Sequence, residues 1–352
     1  MVPFAGHALP IQFADGIMAE HRWCRARAAL FDVSHMGQIV LRGAGADAAL
    51  EALVPADIIG LPDGRQRYAL LMNEAGGIDD DLMVARLGGA LHLVVNGAVR
   101  DADLATIRAA MPAGVAVEAR FERALIALQG PRAVDALAPL ASATAGMRFM
   151  DAAAMAVAGA PALVTRSGYT GEDGFEIALE ASDAERVAQA LLAQPDVRPA
   201  GLGARDSLRL EAGLCLYGQD LAPDVSPVEA ALGWSIGKAR RPGGARAGGY
   251  RGAARVEREL AHGPARLRVG LAPAGRAPVR AGAALFAAEA GGAPLGRVTS
   301  GGFGPSLDRP VAMGYVPPAL AAPGTMLFAD VRGQRLAVAV AHLPFVPPGF
   351  RR

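Results

Sequence analysis

The sequence predicts a multi-lobed α+β fold that closes with a small β-barrel. Three observations carry this. From the N-terminus to Gly237, strand-like and helix-like stretches alternate irregularly, without the regular βαβ wind of a parallel-sheet protein. The texture then changes to "KARRPGGARAGGYRGAARVERE", residues 238–259, which is basic and glycine-rich. Beyond it come short apolar runs separated by Gly and Pro: "ARLRVGLAP", "LGRVTSGGFGP", "VAMGYVPP" and "TMLFADVRGQRLAVAVAHLPF". That is the pattern of a barrel or sandwich of about 90 residues. The boundary is placed near residue 260, giving an α+β region over residues 1–258 and a β-barrel over residues 259–352.

The elements follow in order. "GIMAEHRWCRARAAL" reads as a helix with Met18, Trp23 and Leu30 among its core residues, and Gln38 to Leu41 read as a strand. "GADAALEALVPADI" is a short amphipathic helix. "RYALLMNEAGGIDDDLMVARLGGALHLVVNGA" alternates apolar runs with glycine turns, as an antiparallel meander does. "RDADLATIRAAM" is helical, with Asp101 or Asp103 at its start. "ALIALQGPRAVDALAPL" is a strand, a Gly-Pro break and a helix, and "PALVTRSGYTGEDGFEIALE" is a strand, a glycine-rich turn and a strand. In "SDAERVAQALLAQ", Ser182 and Glu185 have capping-box spacing. "GLGARDSLRLEAGL" is a helix with Gly213 at its C-terminal end.

Composition excludes several classes. At 352 residues and 52% hydrophobic, the chain can bury a sizeable core, and a net charge of +1 gives no electrostatic case for nucleic acid or a membrane surface. No run approaches the roughly 20 apolar residues of a membrane span. Cys24 and Cys215 have no metal or redox spacing and are expected as buried reduced thiols. "MVPFAGHALPIQF" lacks the layout of a signal or transit peptide. A cytoplasmic setting is expected, with a processed mitochondrial protein leaving the same pattern.

Chemistry-bearing residues are acids and arginines lodged among glycines. In "NEAGGIDDDLMV" three aspartates precede an apolar strand, and like charges should not all be buried together. Strand alternation puts Asp79 and Asp81 on one face and Asp80 on the other. Two readings stand: a charged turn, or an arrangement with Asp79 in the turn, Asp80 facing away and Asp81 carried into a pocket. In "RSGYTGEDGFEI", Glu172 and Asp173 read as surface turn acids, whereas Glu176 sits inside the apolar strand, on an outer face or in a ligand pocket. Arg205 and Arg209, four apart on a helix, form either a solvated face or a carboxylate clamp. The basic stretch 238–259 is a solvated loop or an anion-binding patch.

Taken together, "FDVSHMGQ", "NEAGGIDDDLMV", "ALQGP", "RSGYTGEDGFEI", "ARDSLRLEAGLCLYGQD", "SPVEAALGW" and "VTSGG…PSL…VAMGYV" resemble the glycine cleavage system T-protein (aminomethyltransferase) family, in that family's order and over practically the whole chain. The resemblance implies a clover-leaf of lobes around a tetrahydrofolate pocket: two intertwined α+β lobes and a terminal barrel. It implies transfer of the methylene carbon of an aminomethyl group from the lipoyl arm of the carrier H-protein to tetrahydrofolate. The products are 5,10-methylenetetrahydrofolate, ammonia and dihydrolipoyl carrier, with no metal. By the same resemblance Asp81 is the pocket aspartate beside the reacting folate nitrogens, with Asp79 at a variable position. Glu176 hydrogen-bonds the pterin, Arg205 and Tyr169 belong to the folate site, and Met36 and Asn96 line it.

Several positions depart from the family pattern. His7 replaces a tryptophan, His92 stands where some members have a pocket tyrosine, and Phe350 replaces a folate-site tyrosine without its hydroxyl. The family's leading segment, similar to "LYDxHxxxGA", does not precede "MVPFAG", so the chain is expected to start about a dozen residues late. A monomer is expected, and a basic patch from Lys238 to Arg246 would suit an acidic carrier. Two alternatives remain: a tetrahydrofolate-dependent demethylase of the same fold, and a non-catalytic folate-binding protein.

Overall fold

The structure, a computed structural model, describes residues 1–350. It contains two compact units. One comprises residues 1–71, 80–205 and the last segment from Gly349; the other comprises Met72–Asp79 and Asp206–Pro348.

The first unit is built on two main sheets. Its strands in chain order are β1 (Val2–Phe4), β2 (His7–Leu9), β3 (Ala28–Asp32), β4 (Gly37–Arg42), β5 (Arg65–Met72), β6 (Ile78–Leu87), β7 (Ala90–Val95), β8 (Ala116–Ala119), β9 (Ala124–Gln129), β10 (Ala152–Val157), β11 (Ala160–Thr165), β12 (Gly174–Leu179) and β13 (Val197–Pro199). Its helices are α1 (Ile17–Ala26), α2 (Ala46–Glu51), α3 (Arg100–Ala110), α4 (Ala133–Leu137), α5 (Ala181–Leu192) and the start of α6 (Leu202–Glu211).

The five-stranded sheet has the order β5-β6-β7-β4-β8, with the expected meander at β5-β6-β7. Ile39, Leu41, Leu71, Leu82, Val84, Leu93 and Val95 form its core face, against Leu50 of α2 and Leu104 and Ile107 of α3. Because side chains alternate along a strand, Tyr68, Asp81 and Val94 point the other way. The six-stranded sheet has the order β10-β11-β12-β9-β3-β13. Leu30, Ile126, Leu128, Val164, Phe175, Ile177 and Leu179 pack there against Leu137 of α4 and Val187 and Leu191 of α5. Glu176, between Phe175 and Ile177, is therefore on the face opposite the helices, paired with Ala127 of β9 and Thr165 of β11.

In the second unit, α7 (Ala253–His262) precedes six strands: β14 (Leu267–Pro273), β15 (Ala284–Phe286), β16 (Gly296–Gly304), β17 (Arg309–Val316), β18 (Met326–Val331) and β19 (Gln334–Ala341). They close as β14-β17-β16-β15-β18-β19, so no edge is left to pair with another chain. Leu271, Leu285, Val298, Leu327, Val338 and Val340 fill the interior. The barrel is the one expected; residues 258 and 259, where the sequence boundary was set, lie inside α7. Arg209 enters this unit's polar core. Its Nη1 donates to Asp220 at 2.9 Å, and Asp220 also accepts the Leu216 N–H at 3.0 Å and Ser300 Oγ at 2.7 Å. Arg209 is thus a buried structural cation and not half of a ligand clamp with Arg205.

The α6 helix ends as its sequence predicts. Gly213 has φ 68°, its N–H donates to Leu210 O, and the Leu214 N–H reaches back to Arg209 O, the Schellman pattern. Other expectations need correction. The first helix stops at Ala26, because Ala28–Asp32 pairs with β9 and β13; Leu30 is a strand residue and Met18 is exposed. The capping box does not form, since Glu180 holds the N-cap position of α5 without a side-chain cap. Neither Asp101 nor Asp103 caps α3, whose N-cap is Val99. In the basic stretch Arg240 is buried over the Tyr250 ring, and Arg241 donates to the carbonyls of Gly233 and Ile236. Cys24 and Cys215 are free and buried. No helix among the described residues is long and apolar enough to cross a membrane.

Candidate active site

The turn before β6 explains the glycine pair. A Cβ on Gly77 would lie 1.7 Å from the Pro223 carbonyl oxygen, so only glycine fits, while Asn73 Oδ1 accepts the Gly77 N–H at 2.9 Å. Asp79 stays a turn acid, accepting Asn73 Nδ2 at 3.0 Å. The next two acids then take opposite faces. Asp81 joins the face away from the helices, where its Oδ2 accepts Tyr68 Oη at 3.0 Å and its Oδ1 accepts Asn96 Nδ2 at 2.9 Å. Burial, and then the charge of Asp80, push its carboxyl up to about 7, with the Tyr68 and Asn96 donors pulling the other way.

Asp80 faces away from Asp81, as expected, but it and not Asp81 is the more enclosed of the two: it is 0% exposed, on the helix-covered face among Ile78, Leu82 and Val84. The physical reason is α3, which lays Asp103 over that face, while Asn96 offers its backbone N–H at 2.9 Å and its Nδ2 at 2.8 Å. The two acids are enclosed next to each other because donors satisfy both and because burial raises the Asp80 carboxyl as well.

The second cluster sits on the six-stranded sheet. Glu176 Oε2 accepts Ser167 Oγ at 3.1 Å and faces Arg205. Burial raises the Glu176 carboxyl, and the Arg205 guanidinium and Ser167 counter this. Burial likewise lowers Arg205, with Glu176 counteracting, and the guanidinium lies 4.8 Å from the centre of the Tyr169 ring. Arg205 Nη1 is buried with no hydrogen-bond partner among the described residues. A buried donor without a partner is costly, which marks this atom as one that a ligand acceptor would satisfy.

The loop carrying Tyr169 is pinned from below. Gln129, fully buried, donates to Ser167 O at 2.9 Å and accepts Thr170 Oγ1 at 2.9 Å; Gly168 lies so close to this amide that a Cβ would overlap it. Asp173, read from sequence as a surface acid, is buried in a two-pronged ion pair with Arg166, itself 1% exposed. Glu172, read the same way, is half-buried and accepts Arg25 Nη1 at 2.9 Å. Two-bond pairing to arginine is what allows an "EDG" acid to leave the surface.

The two clusters connect through the segment holding Met36. Asn96 precedes Gly97, whose Cβ would lie 2.4 Å from His35 O, and Arg100 Nη1 donates to the same carbonyl at 3.4 Å. His35 is buried edge-on to Phe4, and burial followed by the Arg205 charge hold its imidazole down to about 4, so it is neutral at physiological pH. Met36 follows it, half-buried. His7 is 6.5 Å from His35, centre to centre. Phe350 stacks on Phe149 at 4.1 Å and lines an open groove of about 420 Å³ with Arg65 and Arg148. Burial, followed by the charges of Arg42 and Arg123, lowers the His92 imidazole. Among the described residues no group of three or more His, Cys, Asp or Glu is placed to hold a metal ion.

Residues 1–240 match the family model "GCVT N-terminal domain", and residues 266–347 match "Glycine cleavage T-protein C-terminal barrel domain". The chain belongs to the glycine cleavage T-protein family. Its relatives in that family include the mitochondrial aminomethyltransferases of Flaveria trinervia (44% identical, 99% of this chain and 86% of that protein), Canis lupus familiaris (43%, 99% and 87%) and Dictyostelium discoideum (38%, 100% and 90%). Among solved structures, the glycine cleavage system aminomethyltransferase T from Bartonella henselae matches with a TM-score of 0.91 at 44% identity, covering 100% of this chain and 95% of that one. The α+β fold with its closed barrel is therefore the family's fold.

Sequence reasoning gives Tyr68, Gln129 and His35 no place around the site in this T-protein family member, and puts Asp103 only at the start of α3. Tyr68 and Asp103 come from neighbouring elements whose faces are fixed only by packing. Gln129 and His35 stand inside quoted motifs, "ALQGP" and "FDVSHMGQ", so the signal was present without a reason attached to it.

Proposed function

We propose that this chain is the aminomethyltransferase of a glycine cleavage system. It takes the aminomethyl group on the lipoyl arm of a carrier H-protein and passes the methylene carbon to tetrahydrofolate, releasing ammonia and dihydrolipoyl carrier. Family membership supports the reaction class, and the observation that carries the mechanism is Asp81, a carboxyl held near 7 between two neutral donors.

Forming a methylene bridge removes one proton from each of two folate nitrogens; one goes to the departing sulfur and the other to the departing amine. A carboxylate near 7 accepts and returns protons at physiological pH far better than one near 4. Tyr68 and Asn96 occupy one lone pair on each Asp81 oxygen, leaving the remaining ones for substrate N–H groups and for the cation that develops. Glu176 accepts N–H donors of the pterin, and Arg205 Nη1 donates to a pterin acceptor, which removes both desolvation penalties at once. Tyr169, Met36 and Asn96 shape the pterin site, and Phe350, stacked on Phe149, offers an aromatic wall farther along. The co-substrate is tetrahydrofolate, no metal takes part, and the working unit is a monomer that docks its carrier. Its setting is a bacterial cytoplasm, or the mitochondrial matrix in a processed eukaryotic form.

The test is ammonia release from aminomethyl-loaded lipoyl carrier, with and without tetrahydrofolate, for wild type and Asp81→Asn. Folate-dependent release that collapses in the variant is expected. Tight folate binding without release, or full turnover by Asp81→Asn, would refute the assignment.

A further inference from the structure

Asp80 touches no ligand-facing surface, yet it is the most enclosed acid of the run. An unpaired carboxylate on that face would be strongly unfavourable. Its partners are the Asn96 N–H, Asn96 Nδ2 and the side chain of Asp103, which lies in the first turn of α3 and is 2% exposed. Carboxylates only accept hydrogen bonds, so two carboxyl groups bond each other only with a proton between them. Burial raises the Asp80 carboxyl from its ordinary value, which favours a proton in that contact.

Asn96 carries the connection forward. Its Nδ2 has two hydrogens, one directed at Asp80 Oδ1 and one at Asp81 Oδ1. With both neighbours acceptors, the amide has one workable orientation. Asp80 also fixes the Asn96 backbone, and Asn96 in turn fixes Asp81. The groups acting most strongly here are Asp103 from α3, Asn96 from the end of β7, Tyr68 from β5 and the two acids of β6, none of them cationic.

We propose that Asp80 and Asp103 share one proton and serve as a positioning pair for Asp81: through Asn96 they hold its carboxylate in place, and they keep one negative charge behind it. The proposal rests on the reading of Asp81 as the proton-handling acid of one-carbon transfer. It deepens that reading by adding two residues that never meet substrate.

The experiment compares Asp80→Asn, Asp103→Asn and Asp103→Leu by kcat and KM for tetrahydrofolate across pH, and by infrared difference spectra. Asp103→Asn, whose amide donates to Asp80 as a protonated Asp103 does, should keep kcat within about threefold. Asp103→Leu should lose roughly 10²-fold in kcat with little change in KM, the usual scale for a misplaced catalytic group. Asp80→Asn should also move the acid limb of kcat down by on the order of one pH unit, since it takes the like charge off the residue adjoining Asp81 and leaves it on Asp103. At pH well above 7, where Asp81 is ionised, the wild type should keep a protonated-carboxyl band that Asp103→Asn lacks. Equal losses in the two Asp103 variants, an unmoved acid limb in Asp80→Asn, or no loss of that band would overturn the pairing. The infrared reading needs no turnover, so a wild type that fails to release ammonia would refute the proposed reaction while leaving the proton-sharing test intact.

Discussion

Replacing Asp81 by asparagine should abolish turnover and at the same time make the protein more stable, in a manner that depends on pH. Asp81 holds its proton to about 7 in the folded chain against an ordinary value of 3.8. A group whose folded value is raised contributes stability that is fully present below the unfolded value and lost as pH climbs through the folded one. Wild type should therefore weaken between about pH 4 and pH 7, by up to about 1.4 kcal/mol per pH unit. The gap sets a ceiling of about 4 kcal/mol for the cost of ionised Asp81 at alkaline pH. The Asp81→Asn variant avoids that cost but presents an N–H where a carboxylate oxygen faced Tyr68 or Asn96, which returns about 1–2 kcal/mol.

Urea unfolding at about pH 5 and about pH 8 separates the two effects, because the mismatched hydrogen bond is insensitive to pH and the ionisation is not. The variant should gain on wild type by roughly 2–3 kcal/mol between those two conditions. A stability difference that stays the same at both would show that Asp81 is not a desolvated acid, and the reasoning about its basicity would fall with it. Stability gained at the expense of activity is the usual mark of a strained catalytic group.

Three further outcomes are expected. Asp173→Ala strands Arg166 as an uncompensated buried cation and should cost about 3–5 kcal/mol by chemical denaturation; a loss under about 1 kcal/mol would mean the ion pair is not buried in solution. Glu176→Gln should raise KM for tetrahydrofolate by about tenfold or more with kcat changed only a few-fold, as loss of binding common to ground and transition states does; an effect confined to kcat would move Glu176 into the chemistry. Gly77→Ala forces a methyl group into the Pro223 carbonyl and should lower the unfolding midpoint by several degrees, whereas an unchanged midpoint would contradict the close approach.

What the sequence made legible depended on how local each cause was. The meander, the terminal barrel and the Gly213 helix end follow from period, turn residues and one left-handed glycine. The alternation of Asp79, Asp80 and Asp81 was also local, and the structure keeps it. Which face was the enclosed one was not local, since it depends on α3 arriving over β6 with Asp103. Asp173 looked like a turn acid because its partner Arg166 is recognisable only once the loop closes. The first helix was read too long because its periodicity runs on past Ala26, and only pairing of Ala28–Asp32 with β9 ends it. Arg205 and Arg209 share a spacing, yet one meets Glu176 and the other Asp220.

The two acids of the site are set apart by what surrounds them. Both lie on sheet faces turned away from the covering helices, and burial raises both. Asp81 has only neutral donors and a second acid behind it, so nothing offsets desolvation with positive charge and its carboxyl settles near neutrality. Glu176 has the Arg205 guanidinium, which favours the anion and opposes the effect of burial. Partners that push two carboxyl groups in opposite directions assign them different work. On the proposed reading, Asp81 is suited to exchange a proton and Glu176, with a cation beside it, to accept from a donor-rich ring. Exchanging those environments, and not the acids themselves, would exchange the roles: a cation placed beside Asp81, as in Tyr68→Arg, should lower the acid limb of the rate profile while depriving Asp81 of its basicity.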